Sequence, residues 1–400
     1  MKQYILKKKI FAVLFMIAVF GFAGVNFFHG FQAIREEMEE EDEFSVEVLD
    51  AAITEELYGR MNFIELYAYV QILLDKREYN NFSYIKDEDN FLHYASFFRE
   101  EDTELFEYAL RVKRMQDYVE ERGTKVLFVV PPGKYNSNEV RFRTGMPVNN
   151  PDSTVDQLMF YMNRLGVETL DLRKYFPNEE LTYEETFFKT DHHWTIPAAF
   201  YATGILVDKM EECFGAEFDR YYTDIDQYEA VTYEGGMFGS MGRRTGANFC
   251  GVDNFTALWP RFPGQYYRES MRDNGQLLTY EGSFEETLMN TDALSAQKSI
   301  YSDSQYALYL DVIRPYEKVI NEENPEGCRI FMVRDSYFSP VITFLTPMCG
   351  EIDAIWSLEK VEGLNIERYV KENEFDYIIV EVYPYNINGE AFNFFKKGEE

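Results

Sequence analysis

The sequence is short of histidine, cysteine and tryptophan: its 400 residues hold four, four and three of them. Cys213, Cys250, Cys328 and Cys349 are too widely spaced for a zinc ribbon, and four thiols do not make a disulfide scaffold in a chain of this size. Outside the cytoplasm they can pair in three ways, which the spacing leaves open. Positive charge is scarce as well. Seventy acidic residues face 39 basic ones, for a net charge of −31, a field that repels nucleic acid and other polyanions. No internal repeat is present, nor a low-complexity tract beyond one run of glutamates, so repeat architectures are set aside. Rings are plentiful instead: Tyr 30 and Phe 35, with 46% hydrophobic residues overall. That composition fills a large core and also suits a surface that meets sugars.

One apolar run stands out, residues 10–28, whose single polar member is Asn26. At about 1.5 Å per residue it just spans a hydrocarbon layer of about 30 Å. Lys2, Lys7, Lys8 and Lys9 precede it, and Glu36 to Glu43 follow with seven acids in eight positions. The positive-inside rule puts the N-terminus in the cytoplasm and the remainder outside. The run is longer than a usual signal core and no clean Ala-x-Ala site follows it, which favours an uncleaved anchor over a removed leader. The expected organisation is a cytoplasmic tip and transmembrane anchor (1–33), an acidic helical stalk (34–90) and a folded body (91–400). Within the stalk, Leu57, Met61, Ile64, Ala68 and Ile72 have helical spacing. His93 lies in an aromatic run and reads as a buried, satisfied histidine.

From residue 102 helical and strand patterns alternate. Leu105, Tyr108, Ala109, Val112, Met115 and Val119 form one helical stripe, closed by Gly123, and 125–130 reads as a buried strand. A helix over 152–165 and a strand over 167–171 follow. A further helix runs from about Ile196 to Phe214, and strands are expected at 329–333, 351–356 and 376–382 with helices between. Such alternation implies βαβ crossovers and a doubly wound, mostly parallel sheet of the α/β class. Residues 216–325 interrupt it as an insertion or lid. Inside that insertion, Gly239, Ser240, Arg243 and Arg244 sit in a glycine-rich stretch that can aim backbone N–H groups at an anion.

Two of the four histidines, His192 and His193, follow Asp191 directly. Asp191 and His193 do not share a helical face, but in an extended or looped segment they fall on one side, where the carboxylate fixes the imidazole tautomer. Ser336 lies three residues past the 329–333 strand and before an expected helix, the place where open α/β sheets gather ligands. Ser336, His193 and Asp191 thus supply a nucleophile, a base and its orienter from two distant parts of the chain. Metal binding by Asp191, His192 and His193 is disfavoured because the three are contiguous and the other histidines remote. No cofactor motif is apparent.

Thr190-Asp191-His192-His193-Trp194, Arg334-Asp335-Ser336-Tyr337 and Phe238-Gly239-Ser240 with the basic residues after it resemble the bacterial DHHW family. That family is similar to the alginate O-acetyltransferase group, with an SGNH-hydrolase-like fold. The resemblance covers about residues 90–395. It implies Ser336 as nucleophile, His193 as base, Asp191 as its partner and no role for His192. Arg334 stands where SGNH enzymes usually have glycine, and no asparagine is assigned as an oxyanion donor; Gly239, Ser240 and the Ser336 amide are the candidates. The implied activity is acetyl transfer through an acyl-serine to an exported or cell-surface polysaccharide, beside a multispanning membrane O-acyltransferase as acetyl donor. An O-acetylesterase with the same triad, and a non-catalytic glycan-binding scaffold, are the alternatives.

Overall fold

A computed structural model describes residues 2–40, 57–95, 102–136, 138–147, 151–295, 301, 304–358, 361 and 363–397. The chain divides into two compact units, Met1–Leu73 and Leu74–Glu400.

In the first unit, one helix covers Lys2–Glu40 and a second covers Arg60–Leu73. Tyr4–Phe31 within the first has a mean hydropathy of 2.4 and is long and apolar enough to cross a membrane, a property that anchors and leaders share. The helix extends beyond the expected 10–28 run at both ends, since the flanking lysines and glutamates are good helix formers. Part of the acidic segment and the start of the expected second helix, residues 41–56, lie outside the described residues.

The second unit begins earlier than the expected body. Residues 78–94, most of them assigned from sequence to the stalk, form a small antiparallel sheet of Glu78–Tyr79 (β1), Tyr84–Lys86 (β2) and Leu92–Tyr94 (β3). Tyr79, Tyr84, Ile85 and Asp87 are buried there. These strands are too short to show a period in the sequence.

The main sheet has eight strands. Its parallel part is Glu168–Asp171 (β5), Lys125–Val130 (β4), Tyr377–Glu381 (β13), Arg329–Arg334 (β11) and Glu351–Trp356 (β12), side by side in that order. Each strand sends alternate side chains to opposite faces. Leu127, Val129, Ile330, Met332 and Ile379 join the core beneath the Ile196–Phe214 and Ser339–Leu345 helices. Val126, Phe128, Val130, Phe331, Val333, Ile378 and Val380 join the opposite core beneath Asp102–Glu120, Asp152–Arg164 and Ile366–Glu372. Burial on both faces explains why these strands read as continuous apolar runs.

The 216–325 insertion is more than a lid. Tyr228–Met237 (β6) pairs with Asp253–Pro260 (β7) as a separate two-stranded sheet. Tyr266–Met271 (β8), Leu277–Gly282 (β9) and Tyr316–Asn321 (β10) continue the main sheet antiparallel beyond β12, in the order β12-β10-β8-β9. The sheet is therefore mixed, with a parallel half that carries the site and an antiparallel half that widens its support.

Candidate active site

Asp191 and His193 sit in a tight loop between Phe187 and Trp194, which form an antiparallel bridge. The Thr195 amide donates to Thr186 O at 2.8 Å, and the Thr195 hydroxyl caps the following helix by accepting from the Ala198 amide at 3.3 Å. The loop places both side chains on one side, as the sequence suggested. Asp191 Oδ1 accepts from the His193 amide at 3.0 Å and from His193 Nδ1 at 2.6 Å. His193 Nε2 lies 2.7 Å from Ser336 Oγ. With Nδ1 protonated toward Asp191, Nε2 is left to accept the Ser336 proton. Three residues drawn from two stretches more than a hundred positions apart form one continuous relay.

The carboxylate is held on its far side. Asp191 Oδ2 accepts from the Ser240 amide at 2.6 Å, and Thr190 Oγ1 accepts from the Gly239 amide at 2.9 Å. Those two N–H groups, expected as oxyanion donors, are consumed in positioning the Asp191 loop; each amide has one hydrogen to give. The Ser336 amide opens a 3-10 turn, Ser336–Phe338, and as its first residue has no partner within that turn. It is the candidate donor that survives. Arg243 Nη1 donates to Phe238 O at 3.2 Å and Arg244 Nη1 to the Tyr84 hydroxyl at 3.0 Å, contacts that brace the glycine-rich helix and the β2 strand.

Burial alone raises the Asp191 carboxyl, but the His192 and His193 imidazoles and the Ser240 amide outweigh it and hold the group well below the usual carboxylate range. His192 is pushed down to about 3 by burial and by the neighbouring His193. It therefore stays neutral near pH 7 and adds no charge beside the relay. Asp191, His192 and His193 present ligand atoms within 4.8 Å of one another. Both ring nitrogens of His193 already have partners in Asp191 and Ser336, so the cluster fits a proton relay better than a metal.

Several supports have no signal in the sequence. Asp253, at the start of β7, accepts from the Lys189 and Thr190 amides at 2.8 Å each and from the Thr190 hydroxyl at 2.6 Å. Buried Lys134, just past β4, donates to Lys189 O at 3.1 Å and Asp191 O at 2.8 Å. Burial lowers its ammonium to about 8 against the pull of Asp253, Asp87 and Asp191. Trp194 Nε1 reaches Tyr306 Oη and Tyr337 O, both at 3.1 Å, which ties the histidine loop to the residue after Ser336. Tyr306 stacks on the His193 ring with centroids 4.1 Å apart.

The Ser336 turn has its own frame. Asp335 Oδ1 caps Tyr337 N at 3.0 Å, while Oδ2 accepts from Tyr383 N at 2.9 Å and Asn386 Nδ2 at 3.0 Å. Glu381 accepts the Asp335 amide at 2.8 Å. Arg334, in the place where glycine was the expected residue, ends β11 fully buried and donates to Ser339 Oγ at 3.1 Å. That bond ties the strand end to the helix after the Ser336 turn.

Residues 87–249 match the family model of the SGNH hydrolase-like domain of acetyltransferase AlgX. They contain Asp191 and His193; Ser336 lies beyond them. Bacillus cereus PatB1 has the same fold, with a TM-score of 0.62 at 14% identity over 78% of this chain and 99% of that one. PatB1 carrying a sulfonyl adduct superposes with a TM-score of 0.61, at 14% identity over 78% and 97% of the two chains. A DHHW family protein from Eubacterium siraeum gives 0.54 at 17% identity, over 78% of this chain and 94% of that one. No curated protein matches the chain by sequence. Motifs, family model and fold agree: the chain resembles the DHHW and alginate O-acetyltransferase group and has an SGNH-hydrolase-like α/β domain.

Proposed function

We propose that the protein is an O-acetyltransferase that moves an acetyl group through an acyl-serine on Ser336 to a polysaccharide outside the cytoplasm. The observation that carries this reading is the Asp191–His193–Ser336 relay, with successive contacts of 2.6 and 2.7 Å. His193 Nε2 takes the Ser336 proton as Oγ attacks the acetyl carbonyl, and the Ser336 amide faces the developing oxyanion. The donor's leaving group departs with that proton, which leaves the acetyl ester on Ser336. A sugar hydroxyl then gives its proton to His193 as it attacks the ester, and His193 passes that proton to Ser336 Oγ as the serine leaves.

The AlgX family match is to an acetyltransferase domain, which supports acetyl as the acyl group. Arg244 is exposed and bonded to Tyr84 beside the β3 residue Tyr94, whose ring lies 6.0 Å from that of His192. Arg243, Arg244 and these rings are the candidates for acceptor contact, since tyrosine faces stack on sugars. The lysines before the 10–28 run and the acids after it support a body outside the cytoplasm, tethered at its N-terminus. A multispanning membrane O-acyltransferase is the expected source of acetyl groups there.

The test is an assay of the purified full chain with an activated acetyl ester, with and without an oligosaccharide acceptor. Acetylated sugar should form faster than free acetate once acceptor is present. Acetate release unaffected by acceptor means an esterase instead.

A further inference from the structure

Cys328 and Cys349 are separated by 21 positions in sequence, yet their Sγ atoms lie 3.7 Å apart. They precede β11 and β12, neighbouring parallel strands paired from Arg329 with Glu351. The backbones are locked at this spacing, because Cys328 O accepts from Gly350 N at 3.0 Å and Glu351 N at 3.4 Å. Gly327 and Gly350 allow the approach: a Cβ on Gly327 would stand 2.6 Å from Gly350 N, and one on Gly350 2.6 Å from Gly327 O. Cys349 is buried and Cys328 half-buried, so one thiol is reachable by an oxidant and the other is held behind it. The other two cysteines sit elsewhere. Cys250 is buried, with its sulfur on Gly246 O at 3.4 Å, and Cys213 lies in the Ile196–Phe214 helix.

We propose that Cys328 and Cys349 are a disulfide-forming site that closes the βα loop bearing Ser336. A disulfide oxidant is attacked by the Cys328 thiolate and loses one half as a thiol; the Cys349 sulfur then displaces the second half as a second thiol. Both S–H bonds are lost, one S–S bond forms, and the oxidant takes up the two electrons and two protons. The strand ends already hold the two residues together, and the sulfurs have to close from 3.7 Å to about 2.05 Å. The loop so closed contains β11, the Asp335–Ser336 turn and the Ser339–Leu345 helix. A cross-link at its base limits how far the two ends of that segment can separate in the unfolded chain. The chemistry does not depend on acetyl transfer.

The experiment treats the purified full chain with oxidised glutathione, blocks remaining thiols with iodoacetamide and maps peptides without reductant. The expected result is one cross-link, Cys328 to Cys349, with Cys213 and Cys250 alkylated. Dithiothreitol should then lower the melting temperature by several degrees, as loss of a loop of this length does, and a Cys328→Ser/Cys349→Ser double variant should show no such shift. Alkylation of both Cys328 and Cys349 after oxidation, a link to Cys213 or Cys250, or a glutathione adduct that stops at Cys328 would each overturn the proposal. The peptide map is made on the unsubstituted protein, so it decides the question even if the double variant fails to fold.

Discussion

Gly239 lies directly against Asp191: a Cβ at residue 239 would stand 2.3 Å from Asp191 Cβ and 2.4 Å from its Oδ2. The backbone of Gly239, at φ −70° and ψ 177°, is open to any residue. What forbids one is Asp191, by its side chain and by its Cα, which would stand 2.7 Å from the same Cβ. Gly239→Ala is therefore expected to fold but to push Asp191 off His193, with a loss of activity on the order of a hundredfold or more, because misplacement by about 1 Å costs that much. Ser240→Ala keeps the amide that holds Asp191 and should cost less than about tenfold. Steady-state rates with circular dichroism as the folding control make the comparison; a greater loss in Ser240→Ala than in Gly239→Ala would contradict the assigned roles.

Asp191 and His192 make a second contrast. Asp191→Asn keeps the shape and presents an amide that can stabilise the wrong imidazole tautomer, for which a loss of about four orders of magnitude in kcat is expected. His192 contributes its carbonyl to the Tyr337 hydroxyl, a backbone group that substitution leaves in place. His192→Ala should retain most of the activity. Measured kcat values in the reverse order would mean that His192 is the base.

His93 is a buried probe of acid stability. Its Nε2 donates to Asp87 at 2.9 Å, Nδ1 has no hydrogen-bond partner among the described residues, and burial lowers its pKa to about 4 despite the carboxylate, with the Lys134 charge adding to the effect. Between pH 6.5 and 4 the unfolded chain binds a proton here and the folded chain does not, so folding stability falls as pH drops through that window. The loss is on the order of a few kcal/mol. His93→Gln keeps a donor to Asp87 and cannot take the proton. Its melting temperature should fall less than that of the unsubstituted protein between pH 6.5 and 4. Carboxyls raised by burial, such as Asp353 at about 6, act in the opposite sense but are common to both proteins and cancel in the difference. Parallel melting curves would show that His93 is not the group.

The parallel half of the sheet was legible because strands buried on both faces must be apolar throughout, as Lys125–Val130 and Arg329–Arg334 nearly are. The relay was legible because a loop puts residues two apart on one side and because Ser336 follows a strand end. The antiparallel half gave no such pattern. Arg268 and Ser270 point inward from β8 and are matched by Glu317 from β10, with both Arg268–Glu317 contacts at 2.8 Å. A buried ion pair replaces the apolar alternation by which a half-covered strand is recognised. The hold of Asp253 on the histidine loop crosses 64 positions and rests on two backbone amides, which no residue type announces, and on the Thr190 hydroxyl. The glycine-rich stretch was noticed for its N–H groups, and only the geometry reveals that they face a carboxylate of the chain itself.

The central claim is that Ser336 carries the acetyl group. The direct measurement is peptide mass spectrometry of the purified full chain, quenched in acid during reaction with an activated acetyl ester. The account predicts one added acetyl group on the peptide containing Ser336, its disappearance on addition of oligosaccharide acceptor, and no adduct in Ser336→Ala or His193→Ala. Acetyl transfer that persists in Ser336→Ala, or an adduct on another residue, would contradict it.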